Sequence, residues 1–172
     1  MKIVLLGYMA SGKSSIGKKL AKVLNVPFVD LDDLISENEK LSIQDIFKIK
    51  GEIYFRKKEM EYLKDILLQK DNFILAVGGG TPCYGSNMSV INNNSRSYYL
   101  KSSLESIYTK LSDKKNKHKR PLISEINDQD LKEFIAKHLF ERSPFYEQAQ
   151  YTVETDNKSK KEIAQEISSG MQ

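Results

Sequence analysis

Lys2-Ile-Val-Leu-Leu-Gly7-Tyr-Met-Ala-Ser-Gly12-Lys13-Ser14-Ser15 is the stretch on which the fold turns. A short apolar run leads into Gly-Tyr-Met-Ala-Ser-Gly-Lys-Ser at 7–14, which has the spacing G-x-x-x-x-G-K-[ST] of a phosphate-binding loop. Behind it, Ile16, Leu20 and Leu24 recur every four residues and so share one face of a helix. A strand, a glycine-bounded loop and an amphipathic helix are the context that this loop requires. Gly7 and Gly12 allow backbone angles and approaches that a Cβ would block, so successive N–H groups can converge on phosphate oxygens. Ala10, Ser11, Gly12, Lys13, Ser14 and Ser15 are the candidate contacts. Lys13 brings a positive charge to the β/γ-phosphates, Ser14 offers a hydroxyl to Mg²⁺, and the helix behind them points its positive dipole end at the anion. The stretch predicts nucleoside triphosphate binding.

The chain has 172 residues, a length that suits one domain with a substantial core. Hydrophobic residues are 40% and charged residues 29%, the balance of a water-soluble globular protein. A net charge of +4 suits anionic small substrates and is too weak to argue for nucleic acid. The lone Cys83 excludes an internal disulfide and fits a reducing compartment. The apolar run after Lys2 is too short for a signal sequence or a membrane span, so a cytoplasmic protein is expected. His118, His138 and Cys83 are scattered and form no metal-ligand cluster by spacing.

Strand patterns fall at Ile3–Leu6, Pro27–Leu31, Phe73–Val77, Ser97–Leu100 and Tyr151–Glu154. Helical patterns fall at Lys13–Leu24, Ser42–Ile49, Glu52–Leu68, Leu104–Leu111, Asp130–Phe145 and from about Lys160. Ser42 is placed to cap the helix that carries Ile46 and Phe47. The alternation predicts an α/β fold, a parallel sheet with helices on both faces and a ligand crevice at the carboxyl ends of the strands. Two stretches fall outside that frame: a long helical insertion over 31–68, expected to build a lobe of its own, and a basic loop over 112–125, expected to act as a lid.

Asp30-Leu31-Asp32-Asp33 closes the second strand. Strand alternation would put Asp30 and Asp32 on one side, facing the crevice, where a carboxylate can hold Mg²⁺ or accept a bond from a substrate hydroxyl. The same acids could simply begin a helix, and that reading is preferred for Asp33. Gly78-Gly79-Gly80 follows the third strand, where bare backbone can wall a ligand site. Three arginines carry two readings each. Arg56 can pair with Glu52 or Glu59 along its helix, Arg120 ends a solvated charge run, and Arg142 suits a helix end. Spacing alone leaves ligand binding open for all three.

Taken in order, these pieces resemble the shikimate kinases, of the P-loop nucleoside-monophosphate-kinase-like group. The resemblance runs through the phosphate loop, Phe28-Val-Asp-Leu-Asp32, Ser42-Ile-Gln-Asp-Ile-Phe47, Gly51-Glu-x-x-Phe55-Arg56-x-x-Glu59, the glycine triplet, Arg120-Pro121-Leu122 and Arg142-x-x-x-Tyr146. It implies a three-layer P-loop kinase fold, one domain over 1–172 with a five-stranded parallel sheet, a helical substrate lobe and a mobile lid. It also implies phosphorylation of the 3-hydroxyl of shikimate by ATP with Mg²⁺, a step towards chorismate and the aromatic amino acids, in a monomer without nucleic acid or membrane partners. By resemblance Asp32 receives the proton of the attacking hydroxyl, and Lys13 and Arg120 stabilise the transferred group. Arg56 and Arg142 bind the shikimate carboxylate beside Gly78, Gly79 and Gly80, and Ser14 and Asp30 shape the Mg²⁺ site. Ser15 stands where a threonine is common in the family, and the adenine pocket near 155–158 is poorly defined by sequence. Two other readings compete: a gluconate- or nucleotide-type kinase, which would not need Asp32, Arg56 and Arg142 together, and a nucleotide switch, which has no use for an acceptor site.

Overall fold

The computed structural model describes residues 1–113 and 121–170. β1 (Lys2–Leu6) leads into α1 (Lys13–Leu24), β2 (Phe28–Asp30), α2 (Leu31–Glu39), α3 (Ile43–Leu68) and β3 (Phe73–Ala76). A 3₁₀ turn at Thr81–Cys83 precedes α4 (Asn87–Asn94), β4 (Arg96–Lys101) and α5 (Leu104–Ser112). After a short α6 (Pro121–Ser124) come α7 (Asp128–Tyr146), β5 (Tyr151–Glu154) and α8 (Lys160–Ser169). The five strands are parallel in the order β2-β3-β1-β4-β5. Leu5 of β1 lies opposite Ala76 on one side and Tyr98 on the other, so the central strand ends between two others at the point where the connections change direction. In open α/β sheets, that is where ligands bind.

Alternation along β1 sorts the core into two layers. Ile3 and Leu5 face α1 and α8 and pack with Ile16, Leu20, Leu100, Ile163 and Ile167. Val4 and Leu6 face the opposite way and join Leu31, Ile35, Leu63, Leu75 and Ile135 in a cluster that draws in α2, α3 and α7. Within the first layer, Gly17 of α1 lies against β2: a Cβ there would stand 2.4 Å from Cε2 of Phe28 and 3.3 Å from Cδ1 of Leu5. Gly17→Ala is therefore expected to cost about 1–3 kcal/mol through overpacking. Urea unfolding reads it directly, and a variant as stable as the parent would mean that β2 yields without cost.

Ser42 does cap α3: its hydroxyl accepts from the Asp45 N–H at 3.1 Å and donates to the Asp45 carboxylate at 2.7 Å. The two helical patterns of the sequence run on as α3 but break at Gly51, whose φ of 83° no ordinary side chain adopts readily. Three of the differences from expectation have a clear physical reason. β2 stops at Asp30, since Leu31 is already the first residue of α2 and buries its side chain there. α4 has no clear pattern in Asn-Met-Ser-Val-Ile-Asn-Asn-Asn; burial of Met88 and Ile91 holds it. α7 begins at Asp128, with Asp128 and Asp130 in its first turn, where acids suit the dipole. No helix among the described residues is long and apolar enough to cross a membrane.

Candidate active site

The phosphate loop lies at the carboxyl end of β1, bent by left-handed backbone at Gly7 (φ 142°), Ala10 (φ 62°) and Gly12 (φ 95°). The Ser11 N–H closes the bend on the Tyr8 carbonyl at 3.2 Å, and Gly12 is the N-cap of α1. Lys13, the first residue of α1, extends its ammonium back across the loop and donates to the carbonyls of Gly7 at 2.8 Å and Tyr8 at 2.9 Å. Its charge thus stands at the positive end of the α1 dipole, an anion site on elementary grounds. Ser14 and Ser15 are in the first turn, as the sequence predicts.

The Ser14 hydroxyl donates to Oδ2 of Asp30 at 2.7 Å. The other oxygen of Asp30 accepts from the Asp32 N–H at 3.2 Å, so Asp30 caps α2 while joining β2 to α1. This corrects the reason for pairing the two acids. Asp32 is in the first turn of a helix, not the next position of a strand, and the cap bond brings the carboxylates together. Burial first, and then the Asp30 and Glu59 carboxylates, push the Asp32 carboxyl up to about 6, against the pull of Lys13 and Arg56.

The acceptor side forms around the glycine triplet. A Cβ on Gly78 would stand 3.3 Å from Oδ1 of Asp32 and 3.4 Å from Oε1 of Glu59. On Gly79 it would stand 3.3 Å from Nη1 of Arg142 and 3.5 Å from the Gly7 carbonyl oxygen, and on Gly80 it would stand 2.8 Å from Nη2 of Arg56. The three glycines thus bring a carboxylate and two guanidinium groups against one strip of backbone beside the phosphate loop. Both helix pairings anticipated for Arg56 are present: Nη1 donates to Glu59 at 2.8 Å and Nε to Glu52 at 3.4 Å. They orient the side chain instead of competing with a ligand. Glu59 is 1% exposed and also accepts from the Thr81 hydroxyl at 2.6 Å, so it is a fixed anchor. Tyr146, fully buried, donates to the Gly79 carbonyl at 2.6 Å and holds the triplet from behind.

Three supports carry no signal in the sequence. Thr81 completes the Glu59 anchor from a position with no motif around it. Tyr8 and His138 lie 130 positions apart but share a hydrogen bond of 2.9 Å that ties the phosphate loop to α7, one turn before Arg142. Burial, and next the Arg142 charge, hold the His138 imidazole down at about 4, so it is neutral at physiological pH. No local pattern announces such pairs. Arg120 lies outside the described residues, as does half of the expected lid. The 155–158 stretch is tied to the end of β4, with Thr155 and Ser102 hydroxyls 2.6 Å apart and Asp156 accepting from the Ser103 N–H.

A parallel sheet with a phosphate loop on its central strand, a lysine across that loop and an acid-and-arginine pocket beside it defines a P-loop kinase of small molecules. The chain matches the shikimate kinase family model over residues 9–172 and belongs to that family. It is 47% identical to the shikimate kinase of Flavobacterium johnsoniae over 167 residues, 96% of each chain. Among solved structures, the shikimate kinase of Bacteroides thetaiotaomicron is 31% identical with a TM-score of 0.90, over 99% of this chain and 98% of that one. The shikimate kinase of Acinetobacter baumannii, solved in complex with shikimate, is 30% identical with a TM-score of 0.86, over 99% and 92%.

Proposed function

We propose that the protein transfers the γ-phosphoryl group of ATP to the 3-hydroxyl of shikimate, giving shikimate 3-phosphate and ADP. The observation that carries this reading is the convergence of Asp32, Arg56 and Arg142 on Gly78–Gly80, beside the loop that carries Lys13. Two guanidinium groups select a carboxylate, because a planar fork can grip both its oxygens through charge-assisted bonds. Asp32 is ionised at neutral pH yet retains enough basicity to accept the proton of an attacking hydroxyl. Lys13 and the α1 dipole stabilise charge on the transferred group, and Arg120 is assigned the same task by family resemblance.

For Mg²⁺, the residues fit. Ser14 and Asp30 offer only hard oxygen donors, already 2.7 Å apart at the phosphate loop. Among the described residues, no cluster of three or more His, Cys, Asp or Glu is placed to hold a metal by itself, so the remaining ligands would be phosphate oxygens and water. The bound ion would neutralise charge developing on the β- and γ-phosphates. The reading needs one subunit only, and a cytoplasmic monomer belongs to it.

The test is a coupled assay of ADP release with Mg-ATP, comparing shikimate, gluconate, nucleoside monophosphates and no acceptor. Turnover is expected with shikimate alone. Arg142→Ala is expected to raise the KM for shikimate ~10²-fold, since it leaves a carboxylate without one of its charged partners. Equal turnover with gluconate, or an unchanged KM in that variant, would overturn the assignment.

A further inference from the structure

We propose that Tyr84 is a positioning residue of the acceptor site, its ring fixing the plane of the Arg56 guanidinium and its hydroxyl anchoring the glutamate that holds the same group by its edge. The proposal rests on the reading of Arg56 as a carboxylate-binding side chain.

Arg56 is surrounded unevenly. Its guanidinium carbon stands 4.1 Å from the centroid of the Tyr84 ring, against 5.1 Å for Phe55 and 6.0 Å for Phe47. The Tyr84 hydroxyl donates to Oε1 of Glu52 at 2.8 Å, the same oxygen that accepts from Arg56 Nε at 3.4 Å. Ring, carboxylate and guanidinium therefore close a triangle between α3 and the segment after the glycine triplet. Glu59 takes Nη1 at 2.8 Å. Two edges of the guanidinium are then held by carboxylates, and its carbon stands over the Tyr84 ring. The two glutamates leave Nη2 to the edge nearest Gly80, where the glycine triplet walls the pocket. That nitrogen carries two N–H donors with which to meet a ligand.

Arginine carries a large rotamer entropy, so a carboxylate binds more tightly to a guanidinium already held in plane. Tyr84 supplies that restraint from the chain segment that also supplies the pocket wall, since only the Thr81–Cys83 turn separates it from Gly80. It does so without being a core residue: Tyr84 is 40% exposed, whereas Phe55 is 3% exposed. An exposed aromatic with its face on a site arginine spends its packing on orientation.

The experiment uses the full chain and compares Tyr84→Leu, which removes the stack, with Tyr84→Phe, which keeps the ring and loses only the hydroxyl. Shikimate and ATP kinetics are measured with thermal unfolding, and shikimate affinity is read by calorimetry, since the chain has no tryptophan to report binding. Tyr84→Leu is expected to raise the shikimate KM and Kd about tenfold, within the range of a partly desolvated cation–π contact. Its kcat should stay within about threefold and its KM for ATP unchanged, while Tyr84→Phe recovers most of the affinity. A change under twofold in Tyr84→Leu would overturn the proposal. So would equal losses for shikimate and ATP, or a Tyr84→Phe as poor as Tyr84→Leu. Arg56→Lys serves as the separate control: if it leaves shikimate affinity intact, the reading of Arg56 fails, whatever Tyr84 does.

Discussion

Asp32→Asn is expected to lower kcat about 10³-fold and, at the same time, to make the folded protein more stable. The amide keeps the shape of the side chain and its capacity to hydrogen-bond, but it cannot take a proton from the attacking hydroxyl, and a positioned base contributes ~10²–10⁴ in rate. The gain in stability follows from the same environment. The folded chain raises the Asp32 pKa from 3.8 to about 6, so it holds the ionised form less well than the unfolded chain does. Below about pH 4 the group is protonated in both states and the penalty vanishes. It grows between pH 4 and 6 and is fully present above, reaching about 3 kcal/mol, because each tenfold change in proton affinity is worth about 1.4 kcal/mol. Urea unfolding at pH 8 should therefore favour Asp32→Asn by about 1–3 kcal/mol, with the advantage shrinking towards pH 4.5. In the parent, kcat/KM should fall on the acid side with an apparent pKa near 6. A variant that retains kcat within tenfold would falsify the base assignment. One destabilised at pH 8 would instead remove the account of its cost.

What could be read from the chain alone follows a physical boundary. The phosphate loop was legible because its backbone demands particular residues at fixed spacing, and Gly7, Gly12, Lys13 and Ser14 all take the places expected. The five strands were legible through apolar runs, and each differs from expectation by no more than a residue at either end. Asp30 and Asp32 do stand together at the end of β2, but not through the expected strand alternation; a helix cap brings them together. The arginines marked the limit. Helix spacing showed that Arg56 could pair with Glu52 and Glu59, and it does. It could not show that those pairs aim the guanidinium at Gly80, because that depends on where the chain returns 24 residues later. Thr81 with Glu59 and Tyr8 with His138 are contacts of the same kind, set by topology and silent in any local window.

Removing the charge of Lys13 reaches both halves of the reaction. Lys13→Ala is expected to cost about 10³-fold in kcat, at the upper end of the loss when one preorganised donor to a developing anion is deleted, and to raise the KM for ATP about tenfold. The ammonium is held over the loop by the Gly7 and Tyr8 carbonyls, so little reorganisation is needed when charge develops beside it. Shikimate affinity should change less than about threefold, since the carboxylate grip belongs to Arg56 and Arg142. A second effect follows from electrostatics. Lys13 is one of the two cations that pull the Asp32 pKa down against burial, Asp30 and Glu59. Without it, that carboxyl should hold its proton to higher pH, and the acid limb of the residual activity should move above about 6. A mere loss of ATP binding would leave the limb where it was. Should shikimate affinity fall as far as ATP affinity, the two carbonyl bonds of Lys13 would be holding the loop and the adjoining Gly79 in shape, and the defect would be one of architecture instead of charge. A Lys13→Ala variant with kcat within tenfold of the parent would place the stabilising charge elsewhere, with Arg120 the first candidate.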